Sequence, residues 1–176
     1  FVPLHVHSHY SLLKALPKIG DLVKRAKAEG VEALALTDLG NLYGAIEFYK
    51  ECQSAGIKPI IGLESVMEGG KHILLYAKNI EGYKNLLQIV TKSHLNSPGN
   101  PTVTSAMLAE HGEGLITIDP KETDVPMREV YYIHGDDRRA WETLRAIENR
   151  GPLESGNIDD EEDTFAFPTS LEMEER

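Results

Sequence analysis

The chain has 176 residues, 41% of them hydrophobic, and a formal net charge of -10. That is enough length for one domain with a buried core. Composition excludes several classes: no apolar run approaches the ~20 residues of a membrane span, no basic segment leads into an apolar one as in a secretory signal, and the basic footprint of an autonomous nucleic-acid binder is missing.

The first apolar run, Phe1 to Ser8, reads as a strand ending in His5 and His7. A first helix is predicted from Ile19 to Glu29, with Gly30 as its left-handed terminal residue. Val31 to Thr37 is nearly all apolar and reads as a buried strand, as do Ile57 to Leu63 and His72 to Ala77. Between the first two lies a second helix, starting near Asn41 as N-cap, showing Ala45, Phe48, Tyr49 and Cys52 on one face and stopping at Gly56. A third helix carries the stripe Tyr83, Leu86, Leu87 and Val90. Asn96 to Pro101 reads as a loop, Gly114 to Ile118 as a strand, Asp119 to Pro126 as a loop and Glu129 to Ile133 as a strand. A last helix begins near Asp136, turns Ala140, Leu144 and Ile147 inward, and ends at Gly151-Pro152.

Strands alternating with helices predict an α/β fold with βαβ units and a parallel sheet. The 119–126 connection is too short for a parallel crossover, so a unit is missing there or its strands are not parallel neighbours. From Trp141 to Arg176, eleven Asp and Glu stand against three Arg, which accounts for -8 of the net charge. The domain is expected to occupy residues 1–153. Residues 154–176 form an acidic tail, mobile from Glu154 to Asp163, with a docking segment at 165–173 that carries Phe165, Phe167, Leu171 and Met173. The single cysteine, Cys52, leaves no internal disulfide and fits a reducing, cytoplasmic setting.

Residues i and i+2 of a strand point to one side, so His5 and His7 project together. Imidazole is the commonest metal ligand near neutral pH. Asp38 ends the second strand, Glu64 ends the third, His72 opens the fourth, and Glu129 and Tyr131 lie in a later one. In parallel α/β folds such strand ends converge, which makes His5, His7, Asp38 and Glu64 candidates for one cleft. These residue types suit zinc or manganese. Asp38 reads rather as a carboxylate that fixes a turn, Tyr43 and Tyr49 as core residues, and His9, His94, His111 and His134 as surface residues.

Three segments carry a resemblance: His5-Val6-His7-Ser8-His9-Tyr10-Ser11-Leu12-Leu13, Ala33-Leu34-Ala35-Leu36-Thr37-Asp38-Leu39-Gly40-Asn41 and Gly56-Ile57-Lys58-Pro59-Ile60-Ile61-Gly62-Leu63-Glu64. Together with Tyr76 to Leu86 and Leu108 to Ile116, they resemble the N-terminal PHP (polymerase and histidinol phosphatase) domain of bacterial DNA polymerase III alpha subunits. The resemblance runs from Phe1 to Ile118 and resumes at Glu129 into the final helix. It implies a distorted parallel α/β barrel of seven strands, incomplete here. Intact members hold up to three metal ions and hydrolyse phosphoesters, in some polymerases as a 3′–5′ exonuclease; in others the domain is structural support.

By resemblance, His5 and His7 match the first ligand pair, Glu64 the bridging glutamate and His72 the histidine after it. Four places depart from the pattern. Lys14 stands at an acidic ligand position and Leu39 at a histidine position. The closing Asp-x-His pair reads Glu129-Val130-Tyr131, and a segment of tens of residues after Ile118 is reduced to a short loop. The resemblance therefore implies a catalytically degenerate, structural PHP domain in DNA replication, with no assigned catalytic residue. It implies no cofactor or a single divalent zinc or manganese, held by His5, His7, Glu64 and His72 at low occupancy with Glu129 as a weaker candidate. The partners expected are the polymerase body or replication accessory subunits, with no autonomous nucleic-acid binding and no membrane. The alternative is a free-standing metal-dependent phosphoesterase or 3′–5′ exonuclease.

Overall fold

The computed structural model describes residues 1–151 and 165–174. Seven strands and six α-helices follow in the order β1 (His5–Val6), α1 (Ile19–Ala28), β2 (Ala33–Leu36), α2 (Ala45–Ala55), β3 (Lys58–Met67), β4 (His72–Ala77), α3 (Ile80–Asn96), β5 (Thr102–Val103), α4 (Ser105–His111), β6 (Leu115–Ile118), β7 (Glu129–Val130), α5 (Arg138–Asn149) and α6 (Ser170–Glu174). A 3-10 turn, Gly135–Asp137, leads into α5.

β2 pairs in parallel with β3, and β5 pairs in parallel with the far end of β3. β1 and β7 form a second parallel pair, with His5 opposite Glu129. The amides of Ala35 and Thr37 donate to Pro3 O and Val6 O at 3.0 and 2.8 Å, which joins β1 to β2. The wall therefore runs β7-β1-β2-β3-β4-β6. Its two free edges, β6 and β7, flank the 119–128 loop, and among the described residues no ladder joins them. This is an incomplete α/β barrel, open where the sequence is short.

β4 is not a parallel neighbour of β3. It returns antiparallel, from Val66↔His72 to Gly62↔Tyr76, and β6 is antiparallel to β4. The cause lies in Glu68-Gly69-Gly70-Lys71. Gly69 and Gly70 take φ of 93° and 85°, conformations that favour glycine, and close a tight hairpin that leaves no room for a crossover helix.

The apolar strands are buried on both faces. On β2, Leu34 and Leu36 join a core under α1 and α2 with Ile19, Leu22, Phe48 and Cys52, while Ala35 points into the barrel. On β4, Ile73 and Leu75 pack with Leu86 and Ile89 of α3 and Met107 of α4, while Leu74 and Tyr76 face the barrel interior beside Ile118 and Met127. Both faces being covered explains why these strands read as continuous apolar runs.

Several helix details differ from expectation. α2 begins at Ala45, because the Asn41 side chain instead closes a loop turn: its amide donates to Tyr10 O and Leu39 O, and its oxygen accepts from Tyr43 N. Tyr43 and Tyr49 are exposed rather than core. The buried face of α3 is Gly82, Leu86, Ile89 and Ser93, and Leu87 is exposed. Gly82 lies so close to Gly114 that an added Cβ would meet Gly114 O at 2.0 Å, and this contact sets the rotation of α3. β5 and α4 were not expected; the available signal for α4 was Thr104, whose Oγ1 caps it by accepting from Met107 N.

α5 turns Ala140 and Ile147 outward, not inward. Its inner side carries Trp141, Arg145 and Glu148, drawn in by polar contacts described below. The last barrel strand ends at Val130, and Tyr132 makes only an isolated bridge with Ala166. The segment expected to be mobile, Glu154 to Asp163, lies outside the described residues. After it, Phe165 O accepts from Tyr131 N, Phe167 N donates to Tyr132 O, and the Phe167 ring is buried in the α1–α2 core. Leu171, expected to dock, is 75% exposed because α6 attaches instead through Ser170, whose hydroxyl donates to Glu29 O at 2.7 Å.

Candidate metal centre

The site begins with how β1 is pinned. The Thr37 hydroxyl accepts from Val6 N at 3.0 Å and donates to Val6 O at 3.2 Å. One turn further, the buried Asp38 carboxylate accepts from Ser8 N, Ser8 Oγ and Ser11 Oγ at 2.7, 2.7 and 2.6 Å. Burial pushes the Asp38 carboxyl upward, and the serine hydrogen bonds act against that shift. Asp38 thus holds the loop after β1 with both oxygens accepting from Ser8 and Ser11, as expected of a turn-fixing carboxylate.

This frame places His5 and His7 opposite Glu64 of β3. Glu64 is fixed in turn by an isolated bridge to Leu39 and by Gly40 N, which donates to Glu64 O at 2.8 Å. His5 Nε2 and His7 Nε2 lie 3.0 and 2.5 Å from one carboxylate oxygen, Glu64 Oε2. His72 Nδ1 lies 2.5 Å from the other, Oε1. His5, His7 and Glu64 are all buried, whereas the His72 side chain is 42% exposed. Glu129 stands at the rim, with Oε1 3.9 Å from His5 Nδ1.

Protonation follows from this geometry. Burial alone would raise the Glu64 carboxyl, but hydrogen bonds from His5 and His7 outweigh it and hold the group well below the usual carboxylate range. Burial works against a charged His7 imidazole, yet the Glu64 hydrogen bond and charge raise its pKa above the ordinary 6.5.

One donor atom each from His5, His7 and Glu64 lie within 4.8 Å of one another. Two imidazoles and a carboxylate fit one zinc or manganese ion, which needs about four ligands. His72 contacts the same carboxylate from the solvent side, so three of the other four sequence candidates surround Glu64. The three positions where the resemblance places ligands that this sequence lacks all line the same cleft, of about 360 Å³. Lys14 directs its ammonium to Glu148 at 2.6 Å. Leu39 offers no donor. Tyr131 stacks on His7 with ring centroids 4.5 Å apart and planes 3° from parallel, and burial raises its phenol.

Trp141, Arg145 and Phe165 also line the cleft and were not foreseen as site residues. Nothing in their local pattern marks them, because long-range packing of α5 and the C-terminal segment brings them in.

The PHP domain family matches residues 3–150. The DNA polymerase III subunit alpha of Borreliella burgdorferi is 46% identical over 131 residues, covering 66% of this chain and 11% of its own length. The subunit alpha of Treponema pallidum is 41% identical over 133 residues, covering 67% and 11%. Among solved structures, an amidohydrolase from Chromobacterium violaceum overlaps in part, with TM-score 0.46 and 26% identity, over 54% of this chain and 34% of that one. The chain thus spans 11% of the length of these polymerase relatives. It belongs to the PHP domain family and is homologous to the PHP portion of DNA polymerase III alpha subunits.

Proposed function

We propose that this chain is the PHP domain of a replicative DNA polymerase III alpha-type subunit and serves there as a structural module without hydrolytic activity. The carrying observation is the cleft itself. Lys14, Leu39 and Tyr131 line it, engaged with Glu148, Glu64 and His7 respectively. Phosphoester hydrolysis needs charge stabilisation and an activated water, usually from two cooperating ions. The donors that remain serve one.

His5, His7, Glu64 and His72 would hold that single divalent zinc or manganese at low occupancy, with Glu129 as a weaker candidate. Bound there, such an ion would supply charge to a phosphoryl oxygen and lower the pKa of a water. This donor set favours the second reading, a metal-dependent phosphoesterase or 3′–5′ exonuclease. The domain extends over residues 1–153, with 154–176 as its tail. Its partners are the polymerase body or accessory subunits in the cytoplasm. The net charge of -10 gives it no nucleic-acid affinity of its own. Among the described residues no helix is long and apolar enough to cross a membrane.

The test is a 5′-labelled single-stranded oligonucleotide incubated with the purified chain and manganese or zinc. No shortening is expected. Shortening that disappears in His7→Ala would establish the second reading instead.

A further inference from the structure

The cleft wall opposite the histidines is built from α5 and Phe165. α5 has no fully buried residue. Besides the packing of the Trp141 ring, polar contacts to residue 14 hold it. Lys14 Nζ lies 2.6 Å from Glu148 Oε1, the Trp141 indole N–H donates to Lys14 O at 2.8 Å, and Arg145 pairs with the other Glu148 oxygen. An unbroken row of rings then joins this wall to the candidate metal ligand. His7 stacks on Tyr131 at 4.5 Å, Tyr131 on Trp141 at 5.7 Å, and Trp141 meets Phe165 at 5.2 Å.

We propose that α5 is a movable wall latched over the cleft by Lys14 and Glu148, and that its position is coupled to ion binding at His5, His7 and Glu64 through the His7–Tyr131–Trp141 stack. This rests on the metal reading above. His7 Nε2 and Glu64 Oε2 now lie 2.5 Å apart. An ion about 2.0–2.2 Å from each donor, at a tetrahedral angle, places the two more than about 3 Å apart. The pair must therefore part, and the His7 share of that shift bears on Tyr131, which lies flat against it. The displacement passes to Trp141 and works against the latch. Release of the latch then favours the ion, and by reciprocity the ion favours release. Residue 14, a ligand position by resemblance, thus acts on the centre from the helix side.

Trp141 is the sole tryptophan of the chain, so its emission reports the wall directly. Zinc chloride is titrated into the 176-residue chain while binding is followed by calorimetry and emission by fluorescence. Emission is expected to change with the same midpoint as binding. Tyr131→Phe keeps both responses; Tyr131→Leu keeps binding and loses the emission change. Lys14→Met and Glu148→Gln each raise zinc affinity at least about fivefold, the low end of site-to-site coupling. Combining them adds little, because they break one contact. Direct electrostatics predicts something else: losing a cation strengthens zinc binding, and losing an anion weakens it. Opposite responses of the two variants overturn the latch. Zinc binding with unchanged Trp141 emission overturns the coupling and leaves the metal centre standing. Absence of zinc binding overturns the metal centre and the coupling with it.

Discussion

Glu64 is the residue on which the site turns, because three imidazoles address its two oxygens. The pH dependence of stability follows. Glu64 has a lowered folded pKa, so its contribution is present above the ordinary 4.5 and is lost as pH falls through the lower value. His7 has a raised folded pKa, so its contribution is present below 6.5 and is lost as pH rises through the higher value. With chelator present, the melting temperature should decline as pH climbs past about 6.5, and His7→Gln should flatten that decline. A wild-type profile as flat as the variant's would count against the His7–Glu64 pairing. Cys52 gives an independent check. Burial pushes its thiol up to about 12, so the folded chain should resist thiol reagents at pH about 8 and react on unfolding. Rapid native labelling would show that the α1–α2 core is open.

His5 and His7 were legible in the sequence because strand periodicity fixes where such side chains point; Glu64, expected at a strand end, lies inside β3 and still faces them. Trp141 and Arg145 were not. They approach the site from the far end of the chain, and the face of α5 that turns inward is set by long-range contacts of Trp141 and Glu148 with Lys14 and of Trp141 with Tyr131 and Phe165.

Among the elements, continuous apolar runs revealed β2, β3 and β4 but not their directions. Gly69-Gly70 marks a turn, yet its consequence, an antiparallel return in place of a crossover, is a property of loop length that the strands themselves do not express. The face of α3 was misread for a related reason. Its apolar stripe is broad, and the close approach of Gly82 to Gly114 selects the buried part. Two glycine substitutions separate backbone preference from packing. Alanine is favoured over glycine by about 1 kcal/mol inside a helix. Gly20→Ala in α1 meets no atom within 4 Å and should raise the melting temperature. Gly82→Ala in α3 meets a backbone oxygen at 2.0 Å and should lower it despite the same propensity gain. Equal shifts in thermal melts of the two variants would contradict the α3–β6 contact.

For the molecule as a whole, the opening between β6 and β7 coincides with the 119–128 loop, and the sequence marked this place through the brevity of that loop. A clasp crosses nearby: Lys71 of the β3–β4 hairpin reaches Asp119 at 2.6 Å and Glu122 at 3.4 Å. The wall that remains still holds β1 and β3 on either side of β2, which is why the His5–His7–Glu64 cluster persists although the barrel does not close. Three donors, with non-ligands at three surrounding positions, lead to the central claim that the cleft can hold one divalent ion and no more. Native mass spectrometry with zinc supplied in excess tests it most directly. The expected spectrum shows at most one specifically bound ion per chain, absent in Glu64→Gln; two or more ions per chain, lost together in that variant, would contradict it.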